Sequence, residues 1–244
     1  MLVGAPCAVV ARGDREMRPM RISLVEYDAG NLPSVERALA RQNVETVRAA
    51  TPDAIQAAEA LILPGVGHFG QLMRTLHARG LTAPLREAIS RGKPLLGICL
   101  GLQALFSASD EAPGDAGLGL FAGKITALPA TCGEQGRTRD KLPHMGWNQL
   151  RRVRDSVLFE GVPAGAYFYF AHTYAALDAG EATVAICDHA APFVAALAQG
   201  NLFAVQFHPE KSGDVGARVL ANFVARAACG ESAKADRTGG KGTS

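Results

Sequence analysis

Between Lys93 and Gln103 the chain passes from a short apolar run, residues 94–98, through Gly97-Ile98-Cys99-Leu100-Gly101 into a helical pattern. An apolar run of that length reads as a buried strand. Glycines two residues either side of one cysteine leave room for a sharp strand-to-helix turn, a nucleophile elbow with sulfur in place of oxygen. Such a turn lifts the Cys99 side chain above a sheet at a helix start, where the helix dipole and a nearby histidine would favour the thiolate. A lone cysteine reads first as a small buried apolar residue; for Cys99 the flanking glycines reverse that reading. The amide of Leu100, next after the sulfur, is then a natural oxyanion donor.

A strand-to-helix elbow needs a parallel sheet, and the pattern along the chain supplies one. Residues 22–27 read as a strand, 32–42 as a helix carrying Leu32, Val35 and Leu39, 44–47 as a strand, 52–58 as a short helix and 60–63 as a strand. Residues 71–91 read as helical with breaks near Gly80 and Pro84. The second half is richer in strand signals, at 119–128, 166–171, 182–187, 193–198 and 202–207, which predicts antiparallel additions. The expected fold is α/β, a mixed, largely parallel central sheet flanked by helices, with its site at the carboxyl ends of strands. A last amphipathic helix carries Val215, Val219, Phe223 and Ala227 on one side. The expected organisation is an extension over 1–20, one domain over 21–229 and a disordered polar tail over 230–244. Met17 and Met20 are alternative starts, and residues 1–16 are expected to be dispensable.

A net charge of only +2, with both signs interleaved, leaves no footprint for nucleic acid, and no stretch is apolar enough to span a bilayer. The five cysteines, Cys7, Cys99, Cys132, Cys187 and Cys229, are odd in number, scattered and free of any CxxC pair. That argues against a disulfide framework or a zinc site and for a reducing cytoplasm, with no metal and no cofactor expected.

Two further segments carry chemistry. Phe207-His208-Pro209-Glu210-Lys211-Ser212-Gly213 follows the apolar run 202–207 directly. Pro209 drives His208 toward extended backbone, where residues two apart point the same way, so Glu210 can meet His208. His208 would then take the thiol proton and return it to a leaving amine, while Glu210 fixes its tautomer. Alone, the segment could equally be a solvated turn; paired with the elbow it completes a Cys, His, Glu order. In Leu63-Pro64-Gly65-Val66-Gly67 a strand ends in a loop whose two glycines reach φ values closed to other residues. Its amides could face an anion, and on this segment alone a plain strand-ending turn is as good a reading. A peptide flip about Gly65, carrying the Val66 amide into an oxyanion position, is one expected use.

Gly97-Ile98-Cys99-Leu100-Gly101-Leu102-Gln103 with His208-Pro209-Glu210 resembles the class I glutamine amidotransferases, from about Arg21 to Ala228. Within that class, Pro64 to Gly67, Pro143-His144-Met145-Gly146-Trp147-Asn148, Phe168-Tyr169-Phe170-Ala171-His172-Thr173-Tyr174 and Phe207 to Gly213 resemble the glutaminase subunits of imidazole glycerol phosphate synthase. The resemblance implies a flavodoxin-like architecture and hydrolysis of glutamine through Cys99, His208 and Glu210. It implies that the ammonia passes to a (β/α)8 cyclase subunit in a heterodimer. Matching residue by residue, Val66 and Leu100 would form the oxyanion hole. Gly65, Gly67, Gln103, Glu111, His172, Thr173 and Tyr174 would line the glutamine pocket, and Asn31, Trp147 and Lys211 would face the cyclase. His68 departs from the small residue expected after the loop. A glutaminase for another synthase and a silent interaction module are the alternatives; the Pro143 to Asn148 segment argues against the former, the Cys, His, Glu set against the latter.

Overall fold

A computed structural model describes residues 21–28, 31–129 and 141–238, the last nine by backbone alone. The extension 1–20 and the end of the tail lie outside the described residues. Strand and helix alternate through β1 (Arg21–Val25), α1 (Leu32–Ala40), β2 (Glu45–Ala49), α2 (Pro52–Ala57), β3 (Ala60–Gly65), α3 (Phe69–Ala78), α4 (Thr82–Ser90), β4 (Leu95–Cys99) and α5 (Leu100–Gln103). Strands then dominate: β5 (Phe106–Ser109), β6 (Phe121–Ala127), β7 (His144–Gln149), β8 (Arg151–Arg152), β9 (Tyr167–His172), β10 (Tyr174–Ala176), β11 (Thr183–His189), β12 (Ala191–Gln199) and β13 (Leu202–Val205), before α6 (Gly213–Thr238).

The main sheet has the order β2-β1-β3-β4-β13-β12-β11-β8. Its first five strands pair in parallel and the rest continue antiparallel. Period-two alternation sorts the strand side chains between two cores. Ile22, Leu24, Ile62, Leu96, Ile98 and Val205 face α1 and α6 through Val35, Leu39, Val219 and Phe223. Val25, Leu61, Leu63, Leu95 and Ala204 face Ile55 of α2, Leu72 and Leu76 of α3 and Leu85 of α4. Each such aliphatic side chain contributes about 1.5 to 3 kcal/mol on burial, so both faces must be covered, as a parallel sheet requires. A three-stranded sheet, β10-β6-β5, and the two-stranded hairpin β7-β9 stand beside the carboxyl edge of the main sheet.

Three local expectations change. Pro84 does not break a helix; it is the third residue of α4, inside the first turn, where its missing N–H would have had no intrahelical acceptor. The helix after Cys99 stops at Gln103, because the carbonyls of Ala104 and Leu105 instead accept from Leu118 and from Leu120 and Phe121. The last helix continues past Ala227 to Thr238, so the backbone of the span read as tail is helical that far.

Candidate active site

Three strands end together at the site. Gly65 of β3 is in register with Cys99 of β4, and Val205 of β13 with Ile98. The loop after β3 therefore flanks the elbow on one side, and the segment leading to His208 flanks it on the other. Cys99 sits at φ +53°, a strained value for a residue with a side chain, and is 5% exposed. The neighbouring glycines permit this packing: a Cβ on Gly101 would lie 1.9 Å from the Leu63 carbonyl oxygen, and one on Gly97 2.8 Å from the Gly101 oxygen. Leu100 is the first residue of α5, so its amide has no acceptor within the helix. With four residues, however, α5 is too short to carry much of a macrodipole. The positive partner for the sulfur is His208 instead.

Cys99 and His208 line the same cavity, and His208 Nδ1 donates to Glu210 Oε1 at 2.9 Å. Burial pulls the imidazolium down, but the hydrogen bond and charge of Cys99 and then those of Glu210 overturn it, and its pKa is raised to about 10. His208 is thus held protonated beside the Cys99 sulfur. Glu210 reaches His208 from a 3-10 turn, Pro209–Lys211, rather than from extended backbone, although His208 itself is extended as Pro209 demands. Ser212 fixes the turn, donating to the His208 carbonyl at 2.7 Å and accepting from the Tyr169 amide at 3.0 Å.

Above this line lies a cavity of about 360 Å³ lined by Val66, Gly67, Cys99, Leu100, Gln103, Glu111, His172, Thr173, Tyr174, His208 and Lys211, together with Pro143, Met145 and Ala171. Among residues expected in the pocket, Gly65 alone is not on its wall. It lies beneath the loop, where an added Cβ would meet Leu100 Cβ and the Gly101 nitrogen at 2.6 Å. Close approach to the elbow, and not the φ freedom expected of it, therefore requires glycine there; of the two loop glycines only Gly67 has a positive φ, +98°. The two polar candidates are already partly committed. Gln103 donates to the Tyr174 carbonyl at 2.8 Å, and Glu111 accepts from the Phe69 amide at 2.7 Å, satisfying the first turn of α3. His68 caps the same helix, accepting from the Gly70 amide at 3.1 Å, which gives the unexpected histidine a structural use. His172 is pulled down to about 3 by burial and by the charge of His144, so it is neutral. Its Nδ1 donates to the Tyr174 carbonyl, which leaves Nε2 to accept from His144 Nδ1 at 3.3 Å.

The fully buried Tyr27 tethers the loop after β3: its hydroxyl donates to the Pro64 carbonyl at 3.0 Å. Burial pushes the phenol up, while a hydrogen bond from the Val66 amide works the other way. Val66, two residues beyond the tethered Pro64 carbonyl, lines the cavity.

The sequence over residues 24–227 matches the family model described as Glutamine amidotransferase class-I. The chain belongs to the class I glutamine amidotransferases. It is 46% identical over 208 residues to imidazole glycerol phosphate synthase subunit HisH of Moorella thermoacetica, covering 85% of this chain and 94% of that protein. The subunit HisH of Thermococcus kodakarensis is 44% identical over 207 residues, covering 83% and 98% respectively. A crystal structure of a glutamine amidotransferase superposes with a TM-score of 0.66 at 20% identity, covering 84% of this chain and 98% of that one. The structure of PurLQS from Thermotoga maritima gives 0.63 at 21% identity, covering 86% and 99%. Both likenesses show a shared fold.

In this glutamine amidotransferase the pocket opens beside an exposed patch on the outer face of the β7-β9 hairpin. Trp147 pairs with Tyr169 in register and packs edge-to-face on it at 5.9 Å, while the Lys211 ammonium lies 5.7 Å from the Tyr169 ring centroid. Asn31 stands apart from the pocket at the start of α1, a helix that packs against the Pro209–Lys211 turn. Sequence reasoning missed two site residues, Tyr27 and Gln206. For Gln206 a signal existed: it is the one polar residue in an apolar run and shares parity with His208.

Proposed function

We propose that this chain is the glutaminase subunit of an imidazole glycerol phosphate synthase, releasing ammonia from glutamine for a (β/α)8 cyclase bound over the Trp147, Tyr169 and Lys211 patch. The observation that carries the reading is the meeting of Cys99 and His208 on the wall of one pocket, with Glu210 hydrogen-bonded behind His208. The Cys99 thiolate attacks the side-chain amide carbon, and the carbonyl oxygen becomes an oxyanion beside the Leu100 amide. Imidazolium His208 gives its proton to the departing ammonia, leaving a thioester and a neutral imidazole. That imidazole then takes a proton from the water that resolves the thioester to glutamate. Glu210, 1% exposed, keeps the ring in one tautomer throughout. The Val66 amide, on the loop tethered by Tyr27, is the candidate second oxyanion donor, and one such donor is worth about a hundred- to a thousand-fold in rate. In this reading the enzyme works in the cytoplasm, where its thiol stays reduced.

The test is reconstitution with the cyclase. The Cys99→Ala complex should lose glutamine-dependent synthesis by at least about a thousandfold and retain synthesis from added ammonium salt. If the wild-type chain neither binds the cyclase nor is stimulated by the cyclase substrate, it serves another synthase.

A further inference from the structure

Gln206 is fully buried just beyond β13, with Val205 and Phe207 on either side also buried. A neutral amide so placed costs free energy unless its polar atoms are paired, and here both are paired within the site. Its Nε2 lies 3.5 Å from Cys99 Sγ, and its Oε1 accepts from Gln103 Nε2 at 3.2 Å. The direction of this chain is set by chemistry. Gln103 presents the same nitrogen to the Tyr174 carbonyl at 2.8 Å, and a carbonyl can only accept. Its group facing Gln206 is therefore also the donor, so Gln206 must offer oxygen to Gln103 and its NH2 to the sulfur.

We propose that Gln206 is a catalytic residue of this glutaminase, an amide donor to the Cys99 sulfur that stabilises the thiolate and aims it at the substrate carbon, with Gln103 as the positioning residue that fixes the amide. The proposal rests on reading Cys99 as the nucleophile. Sulfur accepts a hydrogen bond far better as thiolate than as thiol or thioester, because the bond is charge-assisted only in the ionised state. The contact therefore favours ionisation before attack and favours the thiolate again when the thioester breaks down. His208 lines the same cavity as the sulfur, so the Gln206 amide acts beside the imidazole.

The test compares wild type with Gln206→Met, which keeps length and burial but lacks donors, and Gln206→Glu, which turns a carboxyl group on the sulfur. Cys99 alkylation by iodoacetamide is followed against pH by peptide mass mapping, beside glutamine turnover of the reconstituted complex. For Gln206→Met the alkylation midpoint should move to higher pH and kcat/KM should fall about 10- to 100-fold, the worth of a hydrogen bond to a charged group. Gln206→Glu should lose more, and Gln103→Met should reproduce part of the midpoint shift. A Gln206→Met midpoint that overlays wild type would overturn the proposal, whatever its turnover. If neither Gln206 variant folds, the wild-type protein decides: the Gln206 side-chain amide resonances should track thiol ionisation and cease to do so in Cys99→Ala. Resonances insensitive to pH across the alkylation midpoint would also overturn it. Turnover that survives Cys99→Ala would sink the nucleophile reading itself, a result distinct from either.

Discussion

The two walls of the pocket are built on opposite terms. The elbow wall, formed by the ends of β3, β4 and β13, contains Leu63, Leu102 and Val205 at 0% exposure. The hairpin wall, β7-β9, buries Phe168 and Phe170 on its inner face but leaves Met145 66%, Trp147 54% and Tyr167 54% exposed on the outer one. On the first wall every side chain is needed for packing, so geometry at the sulfur is inherited from the core. The second leaves apolar surface exposed, the face that the proposed cyclase would cover. Changes to the first wall should therefore act on folding and chemistry together, whereas changes at Trp147 and Tyr167, which lie on the outer face of the second but do not line the pocket, should act on partnership alone.

The largest expected effect comes from Gly101→Ala. Its Cβ would meet the Leu63 carbonyl oxygen at 1.9 Å, a contact with backbone that no rotamer change relieves. Denaturant unfolding should show a loss of more than about 3 kcal/mol. A variant as stable as wild type would show that β3 and α5 are less tightly seated than this distance implies.

His172 tests the buried side of the hairpin. Its folded pKa, about 3, lies below the ordinary value of 6.5, so between those limits the unfolded chain binds the extra proton. Its contribution is fully present above pH 6.5 and is lost as pH falls toward 3. Groups that oppose its protonation through charge include His144, His189 and His208. His172→Gln should flatten the acid limb of a melting temperature against pH profile, removing on the order of 2 to 3 kcal/mol of the decline. An unchanged limb would assign the acid sensitivity to other groups.

Trp147→Ala probes the exposed side. Melting should move little, since exposed substitutions usually stay within about 0.5 kcal/mol, while cyclase affinity by titration calorimetry should fall about 10- to 100-fold. Destabilisation without loss of affinity would reverse the comparison between the two walls.

The elbow wall was also the more legible in the sequence, for the same reason. Residues 94–98 and 202–205 are unbroken apolar runs because both faces of those strands are covered, and that produces a plain signal. Gly97 and Gly101 announce the close approach that only glycine allows. β7 was missed because its outward positions carry Met145 and Trp147, which blurs the expected alternation of apolar and polar residues. β5 was missed because Leu100, Leu102 and Leu105 suit a helix locally. Only the distant segment 117–121, by bonding the carbonyls of Ala104 and Leu105, ends α5. The pairing of Gln103 with Gln206 likewise spans 103 positions, beyond the reach of local pattern.

Tyr27→Phe has the smallest expected effect on stability and the sharpest one on the loop between the walls. Removing the hydroxyl leaves the Pro64 carbonyl without its donor and unties the loop that carries Val66. The net loss should be about 1 kcal/mol, a typical hydrogen bond exchanged for none, with the ring still filling its place. If Tyr27 holds the Val66 amide away from the oxyanion position, freeing it should raise glutamine hydrolysis by the isolated chain severalfold. The activated rate in the cyclase complex should remain within about twofold, because the partner would already have turned the peptide. Stimulation by the cyclase substrate, read as the ratio of the two rates, should therefore shrink from its low end upward. A variant whose isolated rate falls instead would mean that Tyr27 supports the active arrangement of the loop. The loop would then belong mechanically to the rigid wall.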